Sequence, residues 1–511
     1  MTVAPSKAKP APLPDSVKAP PDMTDTRATA KPSAPAASPA GLPRWLWLLL
    51  AALVARALTF GNPIVHIDEE FYFTTARMML DGALPYVDVW DRKPIGLFLV
   101  YLPAAAFGVP AGIWAYQAMA LAAVVLTALM ILRLADRAGW SRGALPAAIA
   151  YIFFLNFLDG QGGQAPVFYN LLMTWAAALI APRPDDAARP GRRFGFGLAT
   201  LALVGISLQI KYSVVFEGAF FGLWWMWREW KLKAPLLPML AKAALLAAVA
   251  AAPTLIAWGW YVHIGEGDAF TYANFWSIAA RRPDPMLEQL GNLVKIVLIT
   301  SPLLSLAALT WKLRTRDAMQ GWLFAWAAAA ILGLLVFGSW FEHYALPILP
   351  PLCCVVAGFL SSHRHRRQAM ALLLAFAVIG GLTTVWVKRH NRGDAAQIAA
   401  ITAAIGHGPG CLYIYSGNPV LYATSGRCRV SRYVFPSHLG RLREQGAIGV
   451  DQQAEIERIL ALKPEVVVLR TPYFGERAEM RALVMARMDA AYQLKAELPL
   501  GRDRISVYGL R

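Results

Sequence analysis

Cysteine and charge are both scarce in this sequence. Four cysteines occur in 511 residues, and no His/Cys spacing of a metal site accompanies them. Charged residues are 16% of the chain, with 32 acids against 49 bases. No Gly-rich phosphate loop is present, which argues against a nucleotide site. No internal repeat stands out, and ionisable residues are few in the middle of apolar runs, so the marks of a transporter built from matched halves are weak. The net charge of +17 invites comparison with nucleic-acid binders, yet no basic run carries interleaved base-stacking aromatics. No nucleic-acid partner is expected.

Apolar residues are what the chain has in quantity. Hydrophobic residues make up 57%, with 18 Trp, and the mean hydropathy is +0.43; the chain is a polytopic membrane protein. Residues 1–43 are rich in Pro, Ala, Lys and Ser and cannot bury enough surface to offset ordering, so a disordered cytoplasmic tail is expected. Apolar segments follow near 44–61, 94–108, 112–132, 143–158, 166–181, 194–210, 213–228, 236–262, 291–311, 319–338, 343–360 and 368–387. Basic connections at Arg183 to Arg193, Arg228 to Lys233, Lys312 to Arg316 and His363 to Arg367 assign those four loops to the cytoplasm and the carboxy-terminal region to the outside. An inside start and an outside end require an odd number of crossings. The suspect among the twelve is 94–108, whose 15 residues reach about 22 Å as a helix, short of the ~30 Å hydrocarbon core.

The densest group of ionisable residues lies between the first apolar segments, in HIDEEFYFTTARMMLDGALPYVDVWDRKPIG, residues 66–96. Asp68, Tyr72 and Ala76 recur at i, i+4 and i+8, the period of one helix face. Gly82 and Pro85 end that helix. An extended segment with Tyr86, Asp88, Asp91, Arg92 and Lys93 then leads to Pro94. Three consecutive acids, Asp68, Glu69 and Glu70, repel one another, which raises at least one pKa unless a cation lies close. The Lys-Pro step fixes where an ammonium sits, and an anionic ligand head suits it.

This loop resembles the first extracytoplasmic loop of polyprenyl-phosphate-dependent glycosyltransferases of the C-type membrane superfamily, through D-E-x-x-Y-x-x-x-A followed by G-x-x-P-Y-x-D-x-x-D-x-K-P. Bacterial members related to protein O-mannosyltransferases and aminoarabinose transferases are the most similar. The resemblance implies Asp68 as general base and Lys93 at the lipid-linked phosphate; beside them Glu69 is expected to orient the acceptor or tune Asp68, and Arg92, Arg281 or Arg282 to aid Lys93. Tyr72, Tyr86, Asp88 and Asp91 become substrate-binding candidates. Where the family has two prolines after the lysine, Pro94 is followed here by Ile95. The implied donor is a polyprenyl-phosphate-linked sugar, and the acceptor an envelope lipid, glycan or protein on the periplasmic side of a bacterial inner membrane.

Other outward loops supply accessory candidates, each with a second reading. Asp159, in DGQGGQ, either complements the acidic cluster or sits in a plain Gly-rich turn. Lys211 is a ligand group or a snorkelling lysine. The loop His263 to Leu290 mixes aromatics with Arg281 and Arg282: guanidinium groups suit the donor phosphate and rings suit sugar or isoprenoid, while interfacial anchoring explains the same residues. Glu342, His343 and Tyr344 bind phosphate or a cation, or serve as a helix cap and interfacial pair. No cofactor is firm; a divalent cation held by Asp68, Glu69 or Glu342 is left open.

From about residue 389 the composition is that of a soluble α/β unit. Strand-like runs at Cys411 to Tyr415, Val466 to Leu469 and Ile505 to Tyr508 alternate with helical ones near 394–405, 451–462 and 475–491. Cys411 and Cys428 form a disulfide in an oxidising compartment or remain two buried thiols. Cys353 and Cys354 are packing residues. The fold class is thus an all-α membrane domain of about 11–13 helices over 44–388, with catalytic loop 62–93 and second outer loop 263–290, followed by a small extracytoplasmic α/β domain. A sugar transferase accounts for the acidic helix and the Lys-Pro step together. A flippase of an anionic polyprenyl lipid and a non-enzymatic assembly scaffold remain the alternatives.

Overall fold

Apolar runs in lipid satisfy their backbone groups only as helices or closed barrels, and each of the twelve apolar segments is helical. The computed structural model describes residues 1–4 and 41–511, so the tail expected over 1–43 falls, its ends apart, outside the described residues. In order come α1 (Arg44–Arg56), α2 (Ile67–Leu80), α3 (Ile95–Ala105), α4 (Ala111–Arg137), α5 (Ser141–Phe157), α6 (Ala165–Ile180), α7 (Pro190–Leu208), α8 (Val215–Lys231) and α9 (Leu236–His263). Further long helices cover Met286–Leu313, Ala318–Phe337 and Leu349–Ser362, and a helical run with an internal π turn extends from Arg366 to Arg392. Among the described residues, six helical stretches are long and apolar enough to cross a membrane by length and composition. The multi-pass helical membrane part expected from hydropathy is borne out. Segment 94–108 contains only the 11-residue α3, about 16 Å long and too short to span.

The acidic stretch forms α2, which packs on α3, and the second outer loop is a chain of short helical turns, Gly267–Thr271, Tyr272–Trp276 and Ser277–Ala279. After Arg392, Asp394 and Gln397 form a reciprocal capping box that starts the helix Ala395–Ile405.

Four strands follow: β1 (Leu412–Ile414), β2 (Val466–Arg470), β3 (Tyr492–Leu500) and β4 (Asp503–Leu510). Their order is β1-β2-β4-β3, with β1 parallel to β2 and β4 antiparallel to both β2 and β3. Strand β3 was absent from the sequence reading. It lies at the edge, shows solvent Gln493, Lys495 and Glu497, and carries Pro499, so its pattern lacks the apolar density of its neighbours.

Alternation along the central strands splits the sheet into two faces. Leu412, Ile414, Val466, Val468, Ile505 and Val507 join Ile398 and Ile401 in a hydrophobic cluster continuous with the membrane helices. Tyr413, Val467 and Leu469 face the opposite way, toward the helices Gln452–Ala461 and Ala478–Ala491, in a cluster that also takes in Trp90 from the acidic loop. Cys411 and Cys428 are joined by a disulfide beside β1.

Candidate active site

The first turn of α2 sends three carboxylates in three directions. His66 is the N-cap, and its Nδ1 accepts from the Asp68 backbone N–H at 3.2 Å, leaving acids in the turn where the helix dipole favours them. Successive side chains are rotated by roughly 100° in a helix. Asp68 therefore faces a cavity of about 600 Å³, Glu69 turns into the protein, and Glu70 reaches the cavity toward the carboxy-terminal part. Mutual repulsion is not what separates their charge states. Burial pushes Glu69 and Glu70 each up to about 8, because the rotation buries them apart from strong cationic partners.

Asp68 is held differently. Its Oδ2 accepts from the Gln164 amide at 3.2 Å and lies 3.7 Å from His66 Nδ1 and 4.0 Å from His343 Nε2. Burial by itself would raise this carboxyl; Lys93, His66, His343 and the Gln164 hydrogen bond outweigh it and keep Asp68 well below the carboxylate range. Asp159 completes the group from the glycine loop. Its Oδ1 receives Lys388 at 2.7 Å and Arg392 at 2.9 Å, and its Oδ2 is 3.9 Å from His66 Nε2, so His66 stands between two ionised acids. Both readings of that loop hold a part of the answer. Asp159 is in the acidic cluster, while Gly162 is needed for close approach, since a Cβ there would come within 2.1 Å of Glu69 Oε2.

Lys93 enters the cavity on the facing wall. Asp91 Oδ1 gathers the backbone N–H groups of Arg92 and Lys93, at 2.7 and 2.9 Å, and Lys93 Nζ at 3.3 Å. The ammonium lies 5.4 to 5.9 Å from the ring centroids of Tyr72, Phe435 and Phe71. Burial opposes its charge, but Asp91 and Asp68 more than compensate and raise its pKa. Tyr72 serves here as a wall of the ammonium's box. Lys211 also lines the cavity, with Nζ 4.2 Å from the Tyr344 ring centroid, and among the described residues it has no ion-pair partner. Burial pushes it down to about 7.

Several expected ligand residues serve the scaffold. Tyr86 is buried against Tyr261 and Phe270 and donates to the Lys93 carbonyl at 2.9 Å; it braces the loop from behind. Asp88 caps a turn by accepting from Leu84 N–H at 2.8 Å. Arg282 is exposed and does not line the cavity; its backbone N–H donates to the Arg443 carbonyl at 3.2 Å. Glu69 is absent from the lining too. Arg92 and Arg281 line the cavity but converge on buried Glu444, at 2.6 and 2.5 Å. Glu342 is paired with Lys295, and His343 and Tyr344 border Asp68 and Lys211.

No protein-family model and no curated protein matches this sequence. Solved structures do match in shape. The crystal structure of ArnT, the aminoarabinose transferase, from Cupriavidus metallidurans bound to undecaprenyl phosphate superposes with a TM-score of 0.64 at 14% identity, covering 91% of this chain and 98% of that one. The fold is that of ArnT. The apo form of the same protein gives 0.62 at 15% identity over 91% of this chain and 97% of that one. The Archaeoglobus fulgidus oligosaccharyltransferase in the apo form gives 0.51 at 12% identity, over 83% of this chain and 69% of that one.

On this ArnT-like scaffold the sequence reading missed every group contributed from beyond residue 389. Asn418 donates to both Glu70 oxygens, at 2.9 and 3.1 Å; Phe435, His438, Arg441 and Tyr473 also line the cavity. Glu70 and His66 were within the motif and passed over, although three acids behind a histidine N-cap were visible. His66, Asp68 and His343 form a group of three metal-type donors within 4.8 Å of one another. The His66 Nδ1 is engaged by Asp68 N–H and lies 2.7 Å from Gln164 Nε2, so a cation held here by that nitrogen would displace those contacts. The expected ligands Glu69 and Glu342 lie outside the group.

Proposed function

We propose that this protein is a membrane glycosyltransferase that moves a sugar from a polyprenyl phosphate to an envelope acceptor. The observation that carries this reading is the facing pair in one cavity, an ionised Asp68 and an ammonium at Lys93 fixed by Asp91, in a fold shared with a protein solved with undecaprenyl phosphate. The acceptor oxygen attacks the anomeric carbon, the bond from that carbon to the phosphate oxygen breaks, and polyprenyl phosphate leaves. Lys93 and Lys211 stabilise the charge that grows on the leaving phosphate. Asp68 receives the acceptor's proton.

A low pKa keeps Asp68 ionised but makes it a weak base. Donor binding corrects this in part, because a phosphate beside Lys93 screens the cation that depresses Asp68. The carboxylate thereby gains basicity when the donor is present. The disulfide supports an oxidising compartment for the carboxy-terminal part, hence a periplasmic active side in a bacterial inner membrane.

The test is transfer in proteoliposomes from labelled polyprenyl-phosphate sugars to envelope lipid, glycan and protein fractions. Wild type should transfer, while Asp68→Asn and Lys93→Ala, folded by thermal melt, should each transfer at least about 10²-fold more slowly. A wild type that equilibrates polyprenyl phosphate across the bilayer without sugar transfer would overturn the transferase in favour of a flippase.

A further inference from the structure

A lysine ammonium on four rotatable bonds does not point anywhere without an anchor, and ordering such a side chain costs up to ~2 kcal/mol. Asp91 is the anchor for Lys93. It is 3% exposed, and its Oδ1 already takes the two loop N–H groups and Lys93 Nζ. A carboxylate held by one oxygen alone is free to swing about its own χ2. Its second oxygen, Oδ2, faces Nε2 of His438 at 3.5 Å.

His438 is built to hold still. It is 2% exposed, sits edge-on to Trp90 with ring centroids 4.7 Å apart, and touches Phe435 at 5.2 Å. Its carbonyl accepts from the Gln452 amide at 2.5 Å. Among the described residues Nδ1 has no hydrogen-bond partner, so Nε2 carries the proton in a neutral ring and presents it toward Asp91. The neighbouring contacts bind the same two segments: Trp90 N–H donates to the Arg432 carbonyl at 2.9 Å, Phe71 packs edge-on to Phe435, and Arg92 pairs with Glu444.

We propose that His438 is a positioning residue of the donor-phosphate site, fixing Asp91 and through it aiming the Lys93 ammonium into the cavity. The carboxy-terminal part then completes the donor site as well as lining the cavity. The proposal rests on the glycosyltransferase reading, and it assigns His438 no contact with substrate. Its loss therefore weakens donor binding and, by misplacing the Lys93 ammonium, also lowers kcat/KM, by less than loss of Lys93 itself.

The experiment uses the full-length protein in nanodiscs. Binding of undecaprenyl phosphate and the donor KM and kcat of sugar transfer are measured for wild type, His438→Ala, His438→Gln, Lys93→Ala and the Lys93→Ala/His438→Ala double variant. His438→Ala should weaken undecaprenyl phosphate binding and lower kcat/KM about tenfold to a hundredfold, the scale of a hydrogen bond to a charged group, and by less than Lys93→Ala does. Glutamine, whose side-chain amide nitrogen reaches the place of the imidazole Nε2, should restore most of the loss. In the Lys93→Ala background His438→Ala should add nothing, since the group it aims is gone. A merely structural histidine would lower kcat and binding in both backgrounds, and that result overturns the proposal, as does unchanged kcat/KM in folded His438→Ala. If both single His438 variants fail to fold, the residue is a packing element and the proposal falls. A folded wild type that neither binds undecaprenyl phosphate nor transfers sugar removes the glycosyltransferase reading itself.

Discussion

Asp68 and Glu70 leave the same turn of α2 and line the same cavity, but they face different parts of the chain. Asp68 looks to the membrane helices, where His343, Gln164 and the Lys93 ammonium surround it, and it stays ionised. Glu70 looks to the carboxy-terminal part, where a neutral amide, Asn418, meets it and burial keeps it protonated near pH 7. A two-residue step along one helix thus separates a basic carboxylate from a neutral acid able to donate a hydrogen bond. Neighbours, not residue type, assign the roles.

Removing the ionised member is the most severe way to break this contrast. Asp68→Asn should lower transfer by about 10²- to 10⁴-fold while undecaprenyl phosphate binding persists, as read by single-turnover assay and direct binding. Lys93→Ala should cost about 10²- to 10³-fold in kcat/KM and also reshape the pH profile. With the cation gone, burial is less opposed and the Asp68 pKa rises; because the ionised form is the active one, the acid limb of the rate profile moves to higher pH. An unmoved limb would show that Lys93 and Asp68 do not feel each other.

Glu70→Gln tests the other end. The group's ordinary value is 4.5 and its folded value about 8, so the folded state holds a proton that the unfolded chain has released. Stability from this source is complete below about pH 4.5 and falls as pH rises toward 8. Glutamine removes that loss, and a melt should show Tm higher by a few degrees at pH 8 and nearly unchanged at pH 4. Glu69 keeps its own share of the slope in both proteins. The smallest effect should come from Arg282→Ala, whose side chain is exposed and off the cavity: transfer within about twofold of wild type, the behaviour of an ordinary surface site.

Legibility followed distance along the chain. The helices announced themselves through apolar length, and Asp68 and Lys93 through a local motif that the fold brings to one cavity. Tyr86 and Asp88 carried the same motif yet serve the loop's own geometry, because a motif does not say which side of the backbone faces the ligand. Asn418 lies 348 residues from Glu70, and nothing local to a Ser-Gly-Asn-Pro turn marks it as part of a cavity wall. Edge strand β3 failed for a different reason: a one-sided, half-exposed strand has little apolar contrast to read.

The shared hydrophobic cluster between the sheet and the membrane helices also sets an order of events during synthesis. The helices through Arg392 leave the ribosome before β1, β2 and β4 exist, so the cavity wall that carries Asn418, Phe435 and His438 is made after the walls those helices build. A nascent chain holds the acidic helix and the Lys-Pro step long before it holds the partners that fix them. Strand β4, Asp503–Leu510, pairs between β2 and β3, so the sheet behind that wall closes through residues more than 400 positions from the acidic helix.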